Sequence, residues 1–146
     1  MSGLHQGIAL VAALLLAGCA GTKAYPDLPE KNLQVRASLS GSKAVMGVHR
    51  LDAQCNAFYE GVVQLDRSPL DVGLPPGRPS LLVFEFYSSS FLSGSHSISK
   101  EVRLVPRPGY RYEALVTYKD SLYDVRLREI DPRSGAAREL DTRRGC

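Results

Sequence analysis

No apolar run in this sequence is long enough to cross a bilayer. The run from Gly7 to Ala17 spans eleven residues, whereas a membrane-spanning helix needs about 20. Lysine and arginine are absent before Lys23, and the net charge is only +3. A balance this small, with no concentrated basic stripe, argues against nucleic acid as a partner. Metal-ligand spacing is also missing. His49 and Asp52 lie near Cys55, but a site needs three or four convergent ligands, so no metal or other cofactor is expected. The G-x-S-x-G nucleophile elbow does not occur. That leaves His96, in "SGSHS" beside Ser93, Ser95 and Ser97, as the one place for a serine–histidine hydrolase centre. Neighbours on one loop seldom converge on one substrate, and a solvated polar loop is the ordinary reading. No segment after Cys19 keeps a helical period, and no internal repeat is evident. What remains is a chain of 146 residues, 44% hydrophobic and 23% charged, enough for one domain with a buried core.

A short apolar run followed by small residues has the form of a signal peptide, with a capless buried helix as the alternative. Leu16-Ala17-Gly18-Cys19 resembles the lipobox of bacterial prolipoproteins. In that family the cysteine thiol receives a diacylglyceryl group, the chain is cut before it, and the new amine is acylated. Small residues suit a protease that must close around extended backbone. The missing positive charge in Met1–Gln6 departs from the usual pattern. The resemblance implies residues 1–18 as signal peptide, Cys19 as the lipidated residue and 19–32 as a tether. Two or three acyl chains on one cysteine would hold the protein on the bilayer almost permanently. In that family an aspartate after the cysteine favours the inner membrane. Ala20 stands there instead, which implies the outer membrane, periplasmic side. An envelope location is oxidising, and there Cys55 and Cys146 read as one disulfide, with two free thiols as the alternative.

Residues 20–32, "AGTKAYPDLPEKN", carry prolines, charges and few apolar side chains, as an extended tether does. From residue 33 the period becomes two. Leu33, Val35, Ala37 and Leu39 alternate with polar residues, and Leu70, Val72 and Leu74 repeat the pattern. "SLLVFEFY" at 80–87 is apolar on both faces, which predicts a central strand covered on both sides. "SSSFLSGSHS" at 88–97 reads as a polar loop. Tyr110, Tyr112, Ala114, Val116 and Tyr118 share one face of the next strand. Eight or nine such segments with turn signals between them predict an all-β antiparallel sandwich of about 7–9 strands over residues 33–146. The pattern "LPPGRPSLLVF…LVPRPGYRYEALVTYKDSLYDVRL" resembles small periplasmic β-sandwich lipoproteins with transthyretin-like or immunoglobulin-like folds.

Two groups of residues are candidates for binding. Phe91 and Leu92 sit within the serine-rich segment, where they either tuck over the core or await a partner. Tyr110, Tyr112 and Tyr118 form either the sandwich interior or an interface with polar tips. Arg133, Arg138, Arg143 and Arg144 are interrupted by Glu139 and Asp141, which reads as a mixed-charge solvated face. The expected function is that of a non-enzymatic, outer-membrane-anchored binding or adaptor module. Its partners would be the lipid bilayer, through acylated Cys19, and an envelope protein. A ligand-binding or inhibitor-type lipoprotein is the alternative, and a hydrolase centred on His96 the third.

Overall fold

The computed structural model describes residues 22–90 and 94–142. It is an all-β sandwich. Nine strands follow in chain order: β1 (Leu33–Leu39), β2 (Lys43–Leu51), β3 (Ala57–Gln64), β4 (Leu70–Val72), β5 (Ser80–Ser90), β6 (Gly94–Leu104), β7 (Arg111–Lys119), β8 (Leu122–Ile130) and β9 (Ala137–Glu139). They form a five-stranded sheet, β4-β1-β7-β8-β9, and a four-stranded sheet, β3-β2-β5-β6. β1 runs parallel to β7, and every other pairing is antiparallel.

The alternation seen in the sequence is the alternation of burial. From the five-stranded sheet, Leu33, Val35, Tyr112, Ala114, Val116 and Leu127 enter the core. Met46, Val48, Leu82, Phe84, Phe86 and Val102 meet them from the other sheet. Filling the space between two sheets about 10 Å apart with these side chains is what holds the layers together.

Three local expectations change. β5 is central, between β2 and β6, but only its Ser80–Leu82–Phe84–Phe86 face is fully buried. On its other face Val83 and Glu85 are half-buried and Tyr87 is exposed. Among the described residues no second layer lies there, because all nine strands are used in the two sheets, and neighbouring side chains give the partial cover. Second, most of the serine-rich segment is not loop. β5 extends to Ser90 and β6 begins at Gly94, with Ser88 opposite His96. Serine fits this because an exposed hairpin needs backbone pairing more than buried side chains.

The third change concerns residues 22–32, which are docked on the body rather than extended from it. Ala24 bridges Val62 of β3 in parallel. The Tyr25 amide donates to the Val62 carbonyl, and the Val62 amide to the Lys23 carbonyl, both at 2.9 Å. The Tyr25 hydroxyl donates to the Gly73 carbonyl at 3.0 Å. Asn32 is buried, and its side-chain amide engages both the carbonyl and the amide of Leu74, at 2.7 and 2.8 Å. Two glycines make room. A Cβ on Gly61, whose φ is +150°, would lie 2.5 Å from the Tyr25 backbone, and one on Gly73 would lie 2.5 Å from the Glu30 carbonyl oxygen.

Candidate functional site

The face of the four-stranded sheet turned away from the core carries the most distinctive surface. Along β2 the outward positions are Val45, Gly47 and His49. Their partners are Gln64, Val62 and Tyr59 on β3, and Glu85, Val83 and Leu81 on β5. Most strand surfaces that meet water carry polar side chains in this register. Here three valines and a leucine surround a glycine, and the space above Gly47 is a shallow groove of about 460 Å³ with Thr22 at its margin. A Cβ on Gly47 would make only ordinary contacts, the nearest at 3.4 Å to His49 Cε1.

His49 is one of the groove's polar groups, with Thr22, Gln64 and Glu85. Its ring lies 5.3 Å from that of Tyr59, tilted by 59°. Its Nδ1 is buried and has no hydrogen-bond partner among the described residues, and an unmatched buried nitrogen is costly. β3 carries a bulge opposite this point, where the register shifts between Val48 and His49. The bulge places Glu60 against Arg78, which donates to both of its carboxylate oxygens at 2.7 and 2.9 Å.

At the end of the same sheet, β2 turns into β3 through Asp52–Asn56. Asp52 Oδ1 accepts from the amides of Gln54 and Asn56 at 2.9 and 2.8 Å, and Oδ2 accepts from the Asn56 side chain. These bonds hold the Asp52 carboxyl below the usual carboxylate range, the Asn56 side-chain bond foremost. Cys55 sits in this turn, exposed, with φ +67°. Beside the turn, Phe58 and Tyr59 are 45% and 47% exposed. The Arg50 guanidinium lies 4.6 Å from the Phe58 ring centre. The Tyr59 hydroxyl donates to the Lys23 carbonyl at 3.2 Å.

The tyrosines singled out in the sequence are dispersed. Tyr112 is 1% exposed. Its hydroxyl donates to Glu129 Oε2 at 3.0 Å and accepts from the Arg107 amide at 2.9 Å. Burial, first of all, pushes its pKa up. Tyr110 lies under the Arg107 guanidinium, 3.6 Å from ring centre to cation. Tyr118 stacks on Tyr123 at 4.5 Å, and Tyr123 meets Phe86 at 4.8 Å. Tyr112 therefore lies in the core at one end of β7, and Tyr118 is half-buried at the other, stacked on Tyr123.

Glu129 is the hub that the sequence did not reveal. It is buried on β8 and accepts from Arg107 through both nitrogens of the guanidinium fork, from Arg138 at 2.8 Å and from Tyr112. The Arg107 bonds, then Arg138 and Tyr112, lower its pKa to about 2 against the cost of desolvation. This cluster joins β7, β8, β9 and the turn before β7. Its carboxylate is fully engaged, which suits a structural clasp better than proton transfer. In the sequence Glu129 was one of several carboxylates beside basic residues. Only the strand register distinguishes it.

A second groove, of about 540 Å³, lies between the end of β1 and the start of β2, lined by Leu39, Lys43, Asp66, Arg67 and Ser68 among others. It is open and charged. No group of three or more His, Cys, Asp or Glu side chains is placed to hold a metal among the described residues. Cys19, Phe91, Leu92, Arg143, Arg144 and Cys146 lie outside the described residues, as does the side chain of His96. The chain matches no family model, no curated protein and no solved structure.

Proposed function

We propose that this chain is a non-enzymatic lipoprotein of the bacterial envelope, anchored through Cys19 in the outer membrane and acting as a binding or adaptor module on the periplasmic side. The observation that carries the reading is the box Leu16-Ala17-Gly18-Cys19, ending three residues before a segment that is built into a rigid sandwich. Cys19→Ser is expected to leave an uncut or unanchored precursor, because a hydroxyl does not replace the thiol as acyl acceptor. Mass spectrometry of the purified N-terminus checks this, and a mature chain starting upstream of Cys19 without lipid would overturn it. Reproducible recovery of one envelope protein after mild crosslinking is the expected sign of an adaptor.

A Cys55–Cys146 disulfide belongs to the same reading. It is supported by Cys55 being disulfide-bonded and by the path of the C-terminal segment. The Thr142 carbonyl accepts from the Arg103 amide on β6.

One observation favours a second reading, a small-ligand module. His49 Nδ1, without a hydrogen-bond partner among the described residues, stands beside the groove over Gly47, whose walls mix Val45, Val62 and Val83 with Gln64 and Glu85; a small molecule with both apolar and polar groups would suit that lining.

A further inference from the structure

We propose that the β2–β3 end of the four-stranded sheet, with Phe58 and Tyr59 at its edge, is the surface laid against the phospholipid headgroups. This inference rests on the lipoprotein reading and adds the orientation of the body to it.

The first constraint is the length of chain between Cys19 and the docked segment. If residues 19–32 were an extended tether, any face of the domain could meet the bilayer. The docking of Lys23, Ala24 and Tyr25 on β3 removes that freedom. Only Ala20 and Gly21 separate Cys19 from Thr22, three residue steps that span about 10 Å at full extension. The edge of β3 is thereby held within about 10 Å of the acylated residue.

Direction narrows the choice further. The segment runs parallel to β3, so from Ala24 back to Thr22 the chain heads toward the start of β3, at Ala57. The side chains met there are Phe58 and Tyr59, the two exposed aromatic rings of this edge. Aromatic rings with a polar tip or a cationic neighbour settle at the level of the headgroups. Tyr59 has a hydroxyl, and Phe58 has the Arg50 guanidinium over its face. Lys23 adds a second cation on the exposed side. Glu60, the acid next to Tyr59, is paired with Arg78, with Arg50 at 3.8 Å. The Asp52 carboxylate keeps its charge, held in its own turn by Gln54 and Asn56, and is set against the cations Arg50 and Lys23 of the same edge. Strand β3 also cannot serve readily as a free edge for another protein's strand, since Val62 already pairs with the N-terminal segment.

The test uses the full mature lipoprotein reconstituted in phosphatidylethanolamine–phosphatidylglycerol vesicles. The chain contains no tryptophan, so Tyr59→Trp introduces a single reporter. Phe58→Trp is a second one, should the first variant fold poorly. Leu122→Trp is the control. It is 75% exposed and lies at the turn between β7 and β8, the end of the sandwich where Tyr123 meets Phe86. Lipids brominated in the acyl chain quench only nearby indoles. Quenching of Tyr59→Trp or Phe58→Trp at least twofold stronger than that of Leu122→Trp is the expected result. Equal quenching, or emission at both β3 positions that ignores bromine, overturns the proposal. The second outcome would also follow if a protein partner or a second copy covered this edge. Mass spectrometry of the same samples separates the two readings. An unacylated Cys19 defeats the anchoring itself, whereas an acylated chain with unquenched reporters defeats only the orientation.

Discussion

At the scale of single residues, Glu129 shows how burial and charge become a pH dependence. Its carboxylate is buried but held by Arg107, Arg138 and Tyr112, so folding lowers its pKa from the ordinary 4.5 to about 2. A depressed carboxylate contributes its full stabilisation above the unfolded value and loses it as pH falls toward the folded one. Chemical denaturation of the protein is therefore expected to show stability falling between about pH 4.5 and 2. In Glu129→Gln that segment of the profile should flatten. The same variant should cost about 1.5–3 kcal/mol at neutral pH, the range for hydrogen bonds to charged groups, and an unchanged midpoint would contradict the clasp. Little of this was legible beforehand. A glutamate in "LREID" looks like any strand-surface acid until β8 is set beside β7 and β9. Tyr112, by contrast, was already marked by its alternation with Ala114 and Val116. What the sequence left open was whether that face met the core or a partner.

At the scale of elements, period-two alternation located most strands because burial on one face is what produces both. β1, β7 and β8 followed directly. β5 misled in part. Its apolar outer face pointed to a covering layer, but there Val83 joins Val45 and Val62 in a groove. The docked N-terminal segment was not legible at all. Its composition is that of a linker, and the residues that accommodate it, Gly61 and Gly73, lie some forty positions away. Those glycines provide the test. Gly73→Ala places a Cβ against Glu30 and Leu28 without any demand on backbone conformation. It should weaken the docking and cost about 1–3 kcal/mol, as overpacking does. Gly61→Ala adds a strained φ and should do more. Trypsin cleavage after Lys23 and Lys31 is the readout. Cutting no faster than in the parent protein would show that the segment does not depend on this fit.

At the scale of the whole molecule, the two chain ends hold opposite edges of the four-stranded sheet. The N-terminal segment occupies the β3 edge, Thr142 lies along β6, and Cys55 stands in the turn beyond β2. Closing the proposed bond to Cys146 constrains a loop of about ninety residues in the unfolded chain, worth up to about 4–5 kcal/mol in the entropic account. Cys55→Ser and Cys146→Ser should each lower stability by a few kcal/mol, and the double variant by no more than either alone, since one bond is lost in every case. Thiol labelling of the denatured, unreduced mature protein should find no reactive group, and two per chain would refute the bond.

Under the proposed anchoring, the docked segment would also set the volume in which this protein operates. A body anchored through Cys19 on fourteen extended residues would sweep a radius of about 46 Å, whereas the three residues before Thr22 would allow about 10 Å. The accessible volume would shrink by about a hundredfold, and the effective concentration of the domain near its anchor would rise by the same factor. A partner in the same membrane would be met soon after lateral diffusion, even at weak intrinsic affinity, and one held farther away would be out of reach. The two glycines under Tyr25 and Glu30 would thus select the domain's company by distance before any surface is read.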